Sequence, residues 1–301
     1  GAYHGHTNAT IEVSPYKFDG PGGVGSPDFV HQIPMPDPYR GKFRSNNDDI
    51  ALKYADSVQQ ILDVLNEDNK QVAAFIAEAI LGCGGQIFFP EGFLAAASTK
   101  VQQAGGLYIA DEVQIGFGRV GSHFWGFESE NAWPDIVTMG KSMGNGHPIS
   151  AVVTTKEIAH RFNNGMEYFN SFGGNPVSCA VGKAVLKVIE DEKLQENAFQ
   201  VGEYLIDQLN DLKQRHNIIG DVRGRGLFLG IELIKDPENL TPASDEAEKI
   251  ANDMKDHGIL ISTDGPDHNV LKIKPPMVFT KDNTDQLVET LDRLLIQNNF
   301  N

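Results

Sequence analysis

The stretch DIVTMGKSMGNGHP, residues 135–148, contains a Gly-Lys-Ser, and its reading decides the fold. A nucleotide phosphate loop needs G-x-x-x-x-G-K-[ST] between a strand and a helix. Asp135 stands where the first glycine belongs. Ile136, Val137, Thr138 and Met139 read as the strand itself, which leaves no loop before Gly140. After Ser142, the residues Gly144, Gly146 and Pro148 oppose an immediate helix. The nucleotide reading fails on both sides. What remains is Lys141 at the C-terminal end of a buried strand, among small residues that let something approach the backbone closely.

Working outward, the segments 71–80, 106–112 and 149–155 are short, apolar and fairly rich in β-branched or aromatic residues, as in parallel sheets covered on both faces. Between the first two, EGFLAAASTKVQQAG (91–105) has helical composition and a glycine stop. Strands alternating with helices predict an α/β fold, with a mainly parallel sheet sandwiched by helices. The run 175–215 reads as continuously helical with a break near Asp191. A strand region punctuated by glycines (220–236), a helix near 245–257, a strand at VLKIK and a last helix after Thr280 form an α+β tail. The expected domains are a large one over 1–190 and a small one over 191–301. DGPGGVGSPD (19–28) and PYRGKFRSNNDD (38–49) are loop-like.

The 301 residues carry 41 acidic against 25 basic side chains, a net charge of -16, which argues against nucleic acid and anionic membranes as main partners. A local basic pocket for an anionic small molecule is still compatible with that balance. Cys83 and Cys179 are too few for a disulfide framework, and their small or apolar neighbours predict buried thiols. No apolar run approaches membrane-spanning length. The opening GAYHGHT reads as mid-domain sequence, so a fragment of a longer protein is expected.

Two motifs invite other chemistry. GFGRVG (116–121) satisfies the dinucleotide fingerprint, yet the aromatic, irregular SHFWGFESE follows where a helix should open. His4 and His6 have no third ligand in view, so no metal site is expected. Arg223 and Arg225 flank a glycine and read as surface partners of carboxylates.

Asp111 and Glu112 end the second strand. They read either as a pair capping the next loop or, with Asp111 joined to Lys141, as a ligand site at the strand C-termini of an α/β sheet. A buried carboxylate and a lysine there suit pyridoxal phosphate. The lysine bonds the cofactor's aldehyde carbon, and the aspartate keeps the pyridine nitrogen protonated.

IADEVQIGFGRVG, DIVTMGKSMGNGHP, SFGGNP and AYHGH, in that family's order over almost the whole chain, resemble the class III aminotransferase family of pyridoxal-phosphate enzymes. SPYKF, MGNGHP, MEYFN, STDGP and LKIKPPM resemble its alanine–glyoxylate aminotransferase 2-like subgroup, which includes ethanolamine-phosphate and 5-phosphohydroxy-lysine phospho-lyases. The resemblance implies that Lys141 carries the cofactor and shuttles the proton, and that Asp111 pairs with the ring nitrogen. It implies that Val113 packs under the ring, Gln114 reaches the phenolic oxygen, and Tyr3, beside His4, stacks on the other face. Glu78 would hold the site's hydrogen bonds, and Ser171 would cross a homodimer interface to the partner's cofactor phosphate. Mitochondrial placement is likewise implied, with the cytoplasm as the alternative.

Two departures from the family pattern matter. The usual Glu-Pro is Glu78-Ala79, and Lys274 stands where many transaminases of the class have an arginine for a substrate carboxylate. A family phosphate cup upstream of YHG is not in this sequence, so an isolated chain would lack much of that subsite. The implied reaction is phospho-lysis of phosphoethanolamine or 5-phosphohydroxy-lysine. The alternatives are transamination of the alanine–glyoxylate type and a non-catalytic truncated product.

Overall fold

The computed structural model describes residues 1–44 and 49–300, so part of the loop-like stretch 38–49 lies outside the described residues. Two short helices, α1 (Asn8–Glu12) and α2 (Pro15–Phe18), precede the long α3 (Ile50–Glu67). Strand β1 (Ala74–Glu78), helix α4 (Phe93–Gln103) and strand β2 (Leu107–Asp111) form a β-α-β unit with parallel strands. Helix α4 places Phe93, Leu94, Ala97 and Val101 on one face, and all four are buried. Tyr54 of α3 meets Phe93 edge to face, with ring centroids 6.2 Å apart. The two helices and β1–β2 thus share one core.

After the single turn α5 (Gly126–Ser129), strand β3 (Ile136–Met139) adds to β2 in parallel. Its register is set by Asp135, whose carboxylate accepts from the Tyr108 amide at 2.8 Å and from Gln102 at 2.9 Å. Strand β4 (Ala151–Thr154) then pairs with β3 antiparallel. The sequence predicted a parallel strand here, covered on both faces. Composition reports burial and not direction, and Val152 and Val153 are in fact exposed. The sheet order is β1-β2-β3-β4.

Helix α6 (Lys156–Phe162) and an exposed loop lead to α7 (Pro176–Asp191) and α8 (Leu194–Arg215). Lys193, with φ +51°, lies in the left-handed region between the last two, which is the predicted break. Helix α7 is almost wholly exposed, with Gly182 its one buried residue among those described. Cys179 on it is therefore exposed and Cys83 half-buried, against the expectation of two buried thiols.

The hairpin β5 (Ile219–Arg225) and β6 (Phe228–Asp236), the two-residue β7 (Thr241–Pro242), helix α9 (Ser244–Asp256), β8 (Ser262–Asp264), β9 (Val270–Ile273) and α10 (Lys281–Gln297) complete the chain. Their sheet runs β5-β6-β9-β8, with β7 on the flank of β6. Leu205, Leu209 and Leu212 of α8 pack with Leu229, Ile231, Leu271, Ile250 and Leu291 into a second core. Phe228 belongs instead to the first core, which joins the two sheets. Arg223 is no surface residue. Its guanidinium is 11% exposed, pairs with Asp221 and Glu232, and donates to the carbonyls of Gly85 and Gln86.

A close backbone approach between separate elements lies where α8 meets the β5–β6 turn. A Cβ on Gly202 would stand 2.4 Å from the Gly226 carbonyl oxygen. Gly202→Ala must therefore push helix and hairpin apart, and we expect a loss of about 1–3 kcal/mol in denaturant unfolding. Unchanged stability would show that the two backbones are not in contact.

Candidate active site

The C-terminal edge of the first sheet collects the polar residues. The register sets Glu78 beside Asp111 and Asp111 beside Thr138, so two carboxylates end neighbouring strands. Both are buried, at 1% and 5% exposure, which is tolerable only if each is hydrogen-bonded. Glu78 Oε1 accepts from the Tyr3 amide at 3.0 Å. Its Oε2 accepts from the Gly82 amide at 3.0 Å and from Gln114 Nε2 at 3.4 Å. Burial pushes the Glu78 carboxyl up, and neighbouring Asp111 adds to that, while His4 and the two backbone amides pull it down.

Asp111 Oδ1 accepts from the Val113 amide at 3.1 Å. Its Oδ2 lies 2.8 Å from His4 Nδ1, within hydrogen-bonding reach. The His4 amide is itself fixed by the Ser14 hydroxyl at 2.9 Å. Glu112, next in sequence, turns away. Its two oxygens accept from the amides of Gly126 and Phe127, each at 2.9 Å, and burial pushes it up to about 7. Glu112 is thus the cap on the next loop, which leaves Asp111 as the candidate site residue.

One strand further on, Lys141 opens a single 3-10 turn directly after Gly140. Its φ of +37° is unusual for a residue with a Cβ and marks a backbone held by its surroundings. Its side chain is exposed and makes no hydrogen bond or ion pair to another described residue. Val113 packs beside Gly140, which brings the loop after β2 against the root of Lys141.

The second sheet supplies Lys274, just past the end of β9. Its Nζ donates to Gln114 Oε1 at 2.7 Å and sits 4.4 Å from the centre of the Phe228 ring. Among the described residues it has no carboxylate partner, whereas Lys272, two positions earlier, is neutralised by Asp264 at 2.9 Å. Burial brings the Lys274 ammonium down to about 8, and nearby Lys272 adds to the effect. One side of Tyr3 meets Tyr16 edge on at 5.7 Å, with the Lys17 ammonium over both rings.

The structure therefore brings Tyr3, His4, Glu78, Asp111, Val113 and Gln114 together beside Lys141, as two hydrogen-bonded groups joined through the Tyr3–His4 peptide. Ser171 lies apart, in an exposed loop with Phe169 and Phe172, and bonds to none of them. The Lys274–Gln114 contact was not legible in the sequence, because it spans 160 positions. A buried carboxylate backed by imidazole, with an unpaired lysine one strand away, fits a pyridinium ring and its aldehyde. The donor set thus fits pyridoxal phosphate.

Comparison with known proteins agrees with this chemistry. The family described as Aminotransferase class-III matches residues 1–295. The chain is 51% identical over 292 residues to a Drosophila melanogaster protein named alanine–glyoxylate aminotransferase 2-like, covering 95% of this chain and 59% of that protein. It is 46% identical over 308 residues to Caenorhabditis elegans ethanolamine-phosphate phospho-lyase homolog 1, covering 98% and 66% respectively. A solved phospholyase from Arthrobacter, in complex with phosphoethanolamine, superposes with a TM-score of 0.90 at 38% identity, over 98% of this chain and 69% of that one. The chain thus spans less than two thirds of the length of the two named relatives.

Asp111→Asn keeps the acceptor for Val113 but presents an amide to His4 and removes the negative charge. We expect a folded protein that still binds the cofactor but turns over at least an order of magnitude more slowly, in line with loss of preorganised charge. Paired measurements of kcat and of the cofactor's visible absorbance check this. Equal rates in both proteins would remove Asp111 from the chemistry.

Proposed function

Since the chain belongs to the class III aminotransferase family and its cofactor is pyridoxal phosphate, we propose that it is a phospho-lyase acting on a small phosphorylated amine. When bound, the cofactor supplies a protonated ring that accepts the electrons released at the substrate carbon. Asp111, held by His4 and Val113, keeps negative charge where the ring nitrogen needs it. Lys141 Nζ would hold the cofactor through its aldehyde carbon and, once free as an amine, would take the proton from the carbon bearing the substrate's nitrogen. The C–O bond on the next carbon breaks and its electrons leave with phosphate. Water completes the balance: phosphorylated amine plus water gives aldehyde, ammonia and inorganic phosphate.

The observation that supports phospho-lysis over transamination is Lys274. This partly buried ammonium has a neutral amide and an aromatic face as its contacts, and no carboxylate among the described residues pairs with it in competition with a ligand. A phosphate dianion suits a compact, point-like cation. The likeness to the Arthrobacter phospholyase supports the same reading. Phosphoethanolamine and 5-phosphohydroxy-lysine are the candidate substrates.

The homodimer is part of the proposal. The loop that carries Ser171 exposes Met166, Tyr168, Phe169 and Phe172, a patch suited to burial against a second copy. Mitochondrial placement rests on family likeness alone. Among the described residues no helix is long and apolar enough to cross a membrane.

Phosphate release from both amines is the direct test, with pyridoxamine formation as the mark of transamination. Lys141→Ala should release phosphate slower by several orders of magnitude, because one lysine provides both the covalent link and the proton shuttle. Near-normal release by that variant would sink the assignment.

The pH dependence follows from the sign of the Lys274 shift. The ammonium is charged below about 8 and loses its charge above it. KM for the phosphorylated amine should therefore rise as pH passes about 8. Lys274→Gln should have a high KM throughout and lack that rise. A wild-type KM that is flat from pH 7 to about 9.5 would count against Lys274 as the phosphoryl subsite.

A further inference from the structure

The loop GFGRVG (116–121) takes no part in the chemistry above. Its glycines let it lie against α8: Gly118 has φ +78° and faces Gln195, and Gly121 has φ +74° and faces Phe199. The residue it carries inward is Arg119. This largely buried guanidinium makes no ion pair with a carboxylate among the described residues. Its Nη1 instead donates to two backbone carbonyls, Leu227 at 3.0 Å and Pro275 at 2.9 Å. The Leu227 amide donates back to the Arg119 carbonyl at 2.9 Å, so loop and hairpin are tied in both directions.

Pro275 follows Lys274 directly. The last ladder pair of β9 is Ile273 with Leu229, so Lys274 and Pro275 lie beyond the sheet's own hydrogen bonds. Proline has no N–H to offer. The Pro275 carbonyl, next to Lys274, is held by a charged donor, while Asn197 holds the Met277 and Phe279 carbonyls further on. Arg119 thus spans from the loop after β2 to the chain end that carries Lys274, and the Lys274 ammonium returns to Gln114, on the same loop side of β2. The two contacts close a ring between the sheets.

We propose that Arg119 is a positioning residue for Lys274: by holding the Pro275 carbonyl, it sets where the Lys274 ammonium stands against Gln114 and Phe228, and with it the phosphoryl subsite. The assignment rests on the reading of Lys274 as that subsite. A free Pro275 carbonyl would let the β9 exit shift, and the lysine would then meet a phosphate only in part of its conformations.

The test compares Arg119→Gln, Arg119→Lys, Lys274→Gln and the double variant Arg119→Gln/Lys274→Gln in the cofactor-loaded enzyme, with inorganic phosphate as a competing probe. For Arg119→Gln we expect phosphate affinity to fall and KM for the phosphorylated amine to rise by about tenfold, as for one displaced charge-assisted hydrogen bond, with a smaller change in kcat. The alkaline rise in KM should shift, the cofactor's visible absorbance should not, and Arg119→Lys should recover part of the loss. In the Lys274→Gln background the Arg119 substitution should add little. Should Arg119→Gln fail to fold, Arg119→Lys carries the same comparison. Unchanged phosphate affinity in a folded Arg119 variant, with Lys274→Gln impaired, overturns the positioning role alone. Full additivity in the double variant also overturns it, because the arginine would then be a strut unrelated to the lysine. Unimpaired phosphate affinity in Lys274→Gln overturns the subsite reading and the role of Arg119 together.

Discussion

The carboxylate of Glu78 is the constraint on which the rest of the site depends. It ends β1 inside the protein, where a charge without partners would cost far more than any single contact returns. Its partners come from three separate pieces of chain: the Tyr3 amide, the Gly82 amide and the Gln114 side chain. Satisfying one buried group therefore fixes the N-terminal segment, the turn after β1 and the loop after β2 relative to each other. Holding Tyr3 also delivers its neighbour His4 to Asp111, and holding Gln114 presents its oxygen to Lys274.

Parallel pairing brings a second tension. Register sets the buried Glu78 and Asp111 side by side, two like charges on adjacent strands. Repulsion of that kind raises one of the pair unless a cation intervenes. His4 lies 2.8 Å from Asp111 and lowers the Glu78 carboxyl, against the effect of burial and of Asp111. Asp111, in contact with His4, is the carboxylate that faces the ring nitrogen in the proposed chemistry. Glu112, excluded from this arrangement, spends both oxygens on the loop that follows.

Local pattern made much of this legible. The strand before Lys141, the helix of 93–103 and the break before α8 all leave signatures within a few residues, and the structure has each of them. What the pattern could not carry was direction and distance. An apolar run such as 151–154 says nothing of whether its neighbour runs parallel, and β4 proved antiparallel with exposed valines. Small neighbours around Cys179 were read as burial, yet α7 meets little of the described chain. The contacts from which roles for Lys274 and Arg119 are proposed join positions 160 and 156 apart. Such contacts follow from how two sheets meet, a property of the whole packing rather than of any window of sequence.

The global charge and the local site pull in opposite directions. At -16, the chain repels a phosphorylated amine's anionic end at long range. In physiological salt that field is screened beyond about 8 Å, so it governs encounter and not residence. Inside the site the balance reverses, because a partly buried lysine interacts through a lower dielectric than the surface carboxylates do. The arrangement works only while Lys274 has no carboxylate of its own. Lys272 shows the alternative: paired with Asp264, which Gln86 also holds, it has little charge left for a ligand. Two lysines at one strand end, two residues apart, are thus made different by their neighbours, one committed to the fold and the other available to the proposed substrate.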